Sequence, residues 1–585
     1  MGSRRRGWLA ATLLLVCWGG GSAWSEAGQG TATSTSERAA EVDALFGDWN
    51  RDDAPGAVVA VIRDGAIVHQ RAYGMADLER SVALSTESVL EIGSISKQFT
   101  AMCVLLLELD GALGLDDDVR EHLPEMPDYG EPITLRQLAH HTSGVRDVET
   151  LIPLAGVPWF NHLPMADQLA LIARQEGLNF APGSRFLYSN SGYTLLAVVD
   201  DRVSGMSLRS CARERISEPL GMRRTTFWDT PGQVVPDRAL AYSPVAAGWR
   251  DEMWNLPFAG PAGLYTSVGD LARWDANFYD NRLGGGPELI RRMETSGTLD
   301  DGAETGYAMG LGVGELWGSR VVRHTGAWMG YRAGMMRFPA ERLTVVVLSN
   351  AASSDVGAGD VARLYLPETA PSGPEAAGVS GIAPAARPAL VALAPTSLAA
   401  VEGRYWAESS SLLRRIEVRD GALWYVRGND RASELGALAP DRFVMLDAGP
   451  PAVEVFFERA GVGSGGATPT SMRVVQGDTE IAFERLPAGT PAGLEQLEGD
   501  YWSGELGRQL QLEVAAGELL VGWSDAERRV AAEPLRTDEY LVPAFVPVPW
   551  SPQDVVLEVE RSADGSVTGL TLSCDMVRGV ALSRN

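Results

Sequence analysis

Gly93-Ser94-Ile95-Ser96-Lys97-Gln98-Phe99-Thr100 holds the only lysine among 585 residues; every other long basic side chain is arginine. Such a bias leaves arginine wherever an ordinary surface cation suffices. Arginine stays protonated in proteins, whereas a desolvated lysine can lose its proton and act as a base. Ser94 precedes Lys97 by three positions, a spacing that puts both side chains on one helical face. Coincidence is the competing reading: a lone lysine has serine three residues upstream about one time in fifteen. The rest of the chain therefore has to supply partners.

Downstream, the apolar periodicity of Phe99, Met102, Cys103, Leu106 and Leu107 predicts a helix over about 95–110, closed by Gly111. Ser94 then lies at a helix N-terminus, where free N–H groups and the dipole favour negative charge. Upstream, 56–62 and 66–71 read as two strands joined at Asp64-Gly65, a hairpin signal. An amphipathic helix is predicted over 39–50. Further helices are predicted at 134–140, 165–176, 191–204, 207–216 and 267–278, the last with Ser267 as N-cap. Strands are predicted at 309–316, 319–324, 331–338 and 342–349, with His324-Thr325-Gly326 running from a strand into a glycine turn. Strands, a helical insertion and strands again imply an α/β domain whose sheet joins both ends of the segment.

Length bounds the rest. A 62.6 kDa chain exceeds one hydrophobic core and implies several domains. A net charge of -26 argues against nucleic acid or an anionic membrane as partner. Arg4, Arg5 and Arg6 followed by the apolar stretch Trp8 to Trp18 read as a secretory signal over 1–25, cleaved after small residues near Ala23 and Ser25. A lipid-anchored reading at Cys17 is weaker because Val16 is bulky. No later segment is long and apolar enough to span a bilayer, so the expected location is periplasmic or secreted. Removing the signal leaves Cys103, Cys211 and Cys574, an odd number that sets no disulfide framework. Cys103 is expected to be a buried free thiol. No Cys or His spacing matches a metal site, and no metal or cofactor is expected.

Composition shifts at 366–396, where Pro, Ala and Gly mark a linker. Beyond it Gly403-Arg-Tyr-Trp406 recurs as Gly499-Asp-Tyr-Trp502, and Ile416-Glu-Val-Arg-Asp-Gly421 as Leu512-Glu-Val-Ala-Ala-Gly517, both offset by 96 residues. The tail is two copies of one module, 397–487 and 494–585, joined near 487–493. Short alternating strands predict a small antiparallel barrel or sandwich for each.

Two further motifs follow Ser94-x-x-Lys97 in order: Tyr188-x-Asn190 and His324-x-Gly326. With the phrases Leu138-Ala-His-His-Thr-Ser-Gly144 and Glu218-Pro-Leu-Gly-Met222, the segment from about 40 to 352 resembles the serine β-lactamase and penicillin-binding protein superfamily. That family carries Ser-x-x-Lys, Ser-Asp-Asn and Lys-Thr-Gly in its class A members. Tyr-x-Asn is similar instead to the branch holding class C β-lactamases, DD-carboxypeptidases, esterases and D-aminopeptidases. The resemblance implies a β-lactamase-like α/β domain, antiparallel sheet with flanking helices plus a helical subdomain, over 39–365. It implies Ser94 as the acylated nucleophile, Lys97 as its activator and Tyr188 as proton shuttle, with the base open between Lys97 and Tyr188 because a close pair titrates as a unit. Asn190 would hold the substrate amide, and the backbone N–H groups of Ser94 and Ala327 would form the oxyanion hole.

His324 departs from the lysine that attracts an antibiotic's carboxylate. It is mostly neutral near pH 7, which demotes β-lactam hydrolysis. His141 lacks the strand context and reads as structural. A catalytic domain followed by two β modules resembles D-aminopeptidases in layout. In that family a C-terminal loop reaches the active site, and Pro543-Ala-Phe-Val-Pro-Val-Pro-Trp550 is the segment placed there by analogy. The expected substrate is a short peptide, amide or ester, with a homodimer left open. A DD-carboxypeptidase or esterase on the same site is the alternative, and an envelope-binding protein with vestigial catalysis a third. There is no Gly-x-Ser-x-Gly elbow, phosphate-cradling glycine pattern or His-Glu-x-x-His helix.

Overall fold

The computed structural model describes residues 35–366, apart from 159–160, 254 and 353–356, and residues 390–584. Within the second range, 408–411, 428–430, 447–452, 460–467, 477–478, 487–493, 527, 537, 547–552 and 575 are not described. The signal segment, the body of the linker and the junction between the modules lie outside the described residues.

The described residues begin with helix α1 (Thr35–Leu45) and the hairpin β1 (Ala57–Arg63) and β2 (Ala66–Tyr73). Asp64 and Gly65 both take positive φ, 51° and 76°, the backbone that a two-residue turn between twisted strands requires. Helix α2 (Lys97–Leu109), the short α3 (Val148–Leu154) and α4 (Asn190–Ser204) follow in a largely helical region. Four strands, β3 (Gly312–Leu316), β4 (Ser319–Trp328), β5 (Tyr331–Phe338) and β6 (Leu343–Ser349), then precede α5 (Ala358–Tyr365).

The six strands form one antiparallel sheet in the order β3-β4-β5-β6-β1-β2. Ala57 pairs with Ser349 on one side and Tyr73 on the other, which closes the N-terminal hairpin onto the last strand as the strand–insertion–strand order required. Alternate residues of β1 face opposite layers. Ala57, Val59 and Val61 pack with Val42, Val361 and Tyr365 of the terminal helices, whereas Val58, Ala60 and Ile62 join the core around Phe99 and Met102 of α2. The whole predicted apolar face of α2 is buried.

Two local expectations are corrected. Gly326 does not end a strand, because β4 continues to Trp328 and pairs along its length with β5. The helix expected over 207–216 is regular only at Leu208–Ala212, then widens into a π turn at Arg213–Ser217. Cys103 and Cys211 are buried free thiols, and with Asp200 their ligand atoms lie within 4.8 Å of one another. Three helices bring them together, which sequence spacing could not show.

The repeat becomes two closed antiparallel barrels of eight strands each. Their repeated tyrosines, Tyr405 and Tyr501, are both fully buried and donate to the carbonyl four residues earlier, Val401 and Leu497, at 2.8 Å in each case. The segment 543–550 is not wholly a loop: 543–546 ends the strand Glu539–Val546, Phe545 packs beside Trp523 in the barrel, and 547–550 lie outside the described residues. Among the described residues no helix is long and apolar enough to cross a membrane.

Candidate active site

A 3₁₀ turn, Gly93–Ser96, delivers Ser94 to the start of α2. Gly93 takes a φ of 50°. A Cβ there would stand 2.5 Å from the Ala327 nitrogen, and one at Gly326 would stand 1.9 Å from the Ile92 carbonyl oxygen. Two glycines thus let the Ile92–Ser94 and Gly326–Ala327 backbones lie side by side. This close approach is why Gly326 sits inside a strand.

Lys97 is completely buried, with Nζ donating to Ser94 Oγ at 3.0 Å, Asn190 Oδ1 at 2.8 Å and the Pro261 carbonyl at 2.9 Å. Burial disfavours its charge and lowers its pKa to about 7, against the opposing pull of Glu149 and Asp147. Nζ also stands 4.7 Å from the centre of the Tyr188 ring. The Tyr188 hydroxyl is buried and has no hydrogen-bond partner among the described residues. Burial raises its pKa well above the ordinary phenol value, while the Ser94 hydroxyl beside it acts the other way.

Asn190 is the first residue of α4, so its side chain and those of Ser94 and Lys97 meet at two helix starts. Its backbone N–H donates to Asp147 Oδ1 at 2.5 Å, and its side-chain amide donates to Glu149. Asp147 caps α3, accepting the Thr150 N–H at 3.2 Å. Burial pushes both carboxyls up, and the charge of Asp147 pushes Glu149 further. The site is therefore a compact set of one amine, one amide and two carboxyls beside a serine.

His324 closes the other side. Its Nδ1 lies 2.6 Å from the Thr325 carbonyl and its Nε2 2.9 Å from the Tyr307 hydroxyl. A carbonyl can only accept, so Nδ1 carries the proton and Nε2 accepts from Tyr307. Burial and the nearby Lys97 lower its pKa to about 4, leaving a neutral ring. His141 lies behind Tyr188, ring centres 4.3 Å apart, and its Nδ1 accepts the Ser189 N–H at 3.2 Å. It supports the wall of the site, in keeping with the structural reading.

Ser94, Lys97, Tyr188, Asn190, His324, Gly326 and Ala327, chosen from three motifs, converge here. Asp147, Glu149, Tyr307 and the Pro261 carbonyl were not found in the sequence. The carboxyls sit just beyond the His-His-Thr-Ser-Gly phrase, but no spacing rule ties them to Lys97. Chemically the set offers a hydroxyl with a base in contact, two adjacent backbone segments whose N–H groups can receive an oxyanion, and a carboxyl corner linked to the nucleophile through Asn190 and Lys97.

Residues 41–368 match the family model described as Beta-lactamase. A D-aminopeptidase of Cereibacter sphaeroides is 30% identical over 547 residues, covering 91% of this chain and 96% of that protein. One from Gluconobacter oxydans is 28% identical over 550 residues, with the same coverage of 91% and 96%. Among solved structures, the octameric penicillin-binding protein homologue from Pyrococcus abyssi superposes with a TM-score of 0.53 at 22% identity, spanning 76% of this chain and 99% of that one, a likeness of fold. The resemblance read from the three motifs is borne out, and the protein belongs to the beta-lactamase family of serine hydrolases.

Proposed function

We propose that the protein is a D-aminopeptidase-like hydrolase acting on short peptides or amides that carry a free α-amino group. The observation that carries this reading is the carboxyl pair Asp147 and Glu149, linked through Asn190 to Lys97 and Ser94. Each carboxyl is held protonated more readily than usual by burial, and an incoming ammonium would favour its ionised form. The corner therefore gains most when a cation enters it. Neutral His324 argues in the same direction, since it offers no positive charge to a substrate's C-terminal carboxylate. The full-length relatives named D-aminopeptidase add support.

In the proposed reaction neutral Lys97 takes the Ser94 proton as Oγ bonds to the substrate carbonyl carbon. The backbone N–H groups of Ser94 and Ala327 receive the oxyanion. Tyr188 passes the proton to the leaving amine as the C–N bond breaks, and water then cleaves the acyl-enzyme by the reverse proton path. A positioned base contributes about 10² to 10⁴ in rate. The deprotonated amine is the active form, so the rate rises as pH climbs through about 7, the value to which burial lowers Lys97. An ordinary lysine would place that limb near pH 10. The substrate ammonium, losing its proton near pH 8, sets a falling alkaline limb that an N-acetylated substrate lacks.

The test compares D-alanyl p-nitroanilide with its L-isomer and its N-acetyl analogue, in wild type, Ser94→Ala and Glu149→Gln. Expected are preference for the free-amine D-substrate, loss of turnover in Ser94→Ala, and collapse of the amine preference in Glu149→Gln. Equal turnover of the N-acetyl analogue by wild type would sink the proposal. Export is proposed on the N-terminal Arg4–Arg6 and Trp8–Trp18 pattern alone, and N-terminal sequencing of the mature protein, expected to begin near Glu26, checks it.

A further inference from the structure

The carboxyl corner stands against the second barrel. Residues 143–149 run as a strip between two partners. On its inner edge, Ser189 Oγ donates to the Val145 carbonyl at 3.1 Å, Ser191 Oγ donates to the Arg146 carbonyl at 2.6 Å, and the Val148 N–H donates back to Ser191 Oγ at 2.7 Å. On its outer edge it meets the second barrel, the helix end at Gln175 and Asn179, whose N–H donates to the Gly144 carbonyl at 2.7 Å. The Asp147 N–H donates to the Met576 carbonyl at 3.1 Å. The Arg146 guanidinium donates to Glu505, to Gln175 Oε1 at 3.0 Å and to the Gly579 carbonyl at 2.9 Å. Asn179 secures the same turn, donating to the Met576 carbonyl at 3.0 Å and accepting the Arg578 N–H at 2.8 Å.

Arg146 and Glu505 form an ion pair with side chains only 3% and 4% exposed. A desolvated pair of this kind is costly to keep unless its geometry is held, and removing one partner leaves an unpaired charge. The pair joins the barrel to the residue immediately before Asp147, whose carboxylate holds the Asn190 N–H. Asn190 in turn holds Lys97. Hydrogen bonds and the peptide link between Arg146 and Asp147 therefore connect Glu505 to Ser94.

We propose that Glu505 is a positioning residue for the active site. Through Arg146 it fixes the strip that presents Asp147 and Glu149, so the second barrel sets where a substrate ammonium sits and how Asn190 meets Lys97. The consequence for turnover rests on the reading of Ser94 as nucleophile, whereas the positioning itself does not.

The test uses the full chain with Glu505→Gln, the exchange Arg146→Glu with Glu505→Arg, and Glu533→Gln as a control at the contact between the barrels. Hydrogen exchange reads positioning without any assay of activity. Glu505→Gln should speed exchange of amides in 143–149 and at Asn190 at least tenfold, with little change in the central sheet. Turnover of D-alanyl p-nitroanilide should fall at least tenfold in kcat/KM, mainly through KM, and its acid limb should move. Reaction of Ser94 with a fluorophosphonate, which needs no ammonium, should change less. The control should behave as wild type, and the exchange should restore part of the loss. If the exchange does not fold, the near-isosteric Glu505→Gln alone decides. Unchanged exchange in 143–149, or kcat/KM and pH profile within twofold of wild type, would overturn the proposal. A wild type that does not react with fluorophosphonate would instead overturn the nucleophile reading, and hydrogen exchange would still decide the positioning.

Discussion

The two C-terminal barrels agree in their interiors and differ on their surfaces. In each, a fully buried tyrosine bonds the carbonyl four residues back, and an arginine from the last strand lies over its ring, Arg485 at 5.7 Å and Arg584 at 5.8 Å. Each arginine also donates to the two carbonyls flanking that position, those of Ala400 and Glu402 or of Gln496 and Glu498. The next residue along breaks the match. Trp406 is 4% exposed and Trp502 is 45% exposed. Trp406 packs with Leu413 and Leu486 against Leu535, Leu541 and Val556 of the second barrel, with Arg415 and Glu533 paired at 3.0 Å beside them. The second barrel uses another part of the same motif: Glu505 faces Arg146, where the first copy has Ser409. Duplication preserved the latch that closes the barrel and left each outer face free to acquire its own partner. The first copy docks on the second, and the second docks on the catalytic domain.

The largest effect should come from that second contact. Arg146→Ala leaves Glu505 buried without its cation, a change that typically costs about 3–5 kcal/mol, read by denaturant unfolding. Burial already raises the Glu505 pKa with Arg146 present. Without it the folded state binds a proton more readily than the unfolded state, so stability falls as pH rises. The deficit should be smaller at pH 5 than at pH 8; a deficit independent of pH would mean that packing, not charge, holds the contact. Trp406→Ala comes next. Deleting a buried tryptophan costs about 3–5 kcal/mol when its surroundings do not collapse, and here part is recovered by solvent entering between the barrels. The loss should appear as early unfolding of the first barrel with turnover unchanged. Impaired turnover would show that the first barrel also bears on the active site.

How much of this was readable depends on whether a feature is local. Asp64-Gly65 names its own turn, the 96-residue offset names the duplicated modules, and Ser94, Lys97, Tyr188 and Asn190 carry their spacing with them. Gly326 misled because glycine signals a turn, whereas here it removes a side chain that would strike the Ile92 carbonyl from a distant segment. Asp147 and Glu149 were invisible because their meaning comes from Asn190, some forty positions on, and from Met576 in another domain. The contrast between Trp406 and Trp502 was equally hidden. Identical residues at identical repeat positions differ only in what docks on them.

Two smaller effects separate interior from surface. Tyr405→Phe and Tyr501→Phe each remove one hydroxyl from a buried carbonyl, a loss of about 1 kcal/mol. The two should agree closely, because the 2.8 Å bonds match; a large disagreement would mean that one barrel lends its stability to the other. Trp502→Ala is the smallest. The side chain at 45% exposure has already kept much of its contact with water, and substitutions at such positions usually stay within about 0.5 kcal/mol. Set against Trp406→Ala, it isolates the docking surface from the shared barrel fold, since both mutations delete the same atoms from the same strand position. If Trp502→Ala proved as costly as Trp406→Ala, the tryptophan would be serving barrel closure in both copies, and the asymmetry of their outer faces would have to be carried by Glu505 alone.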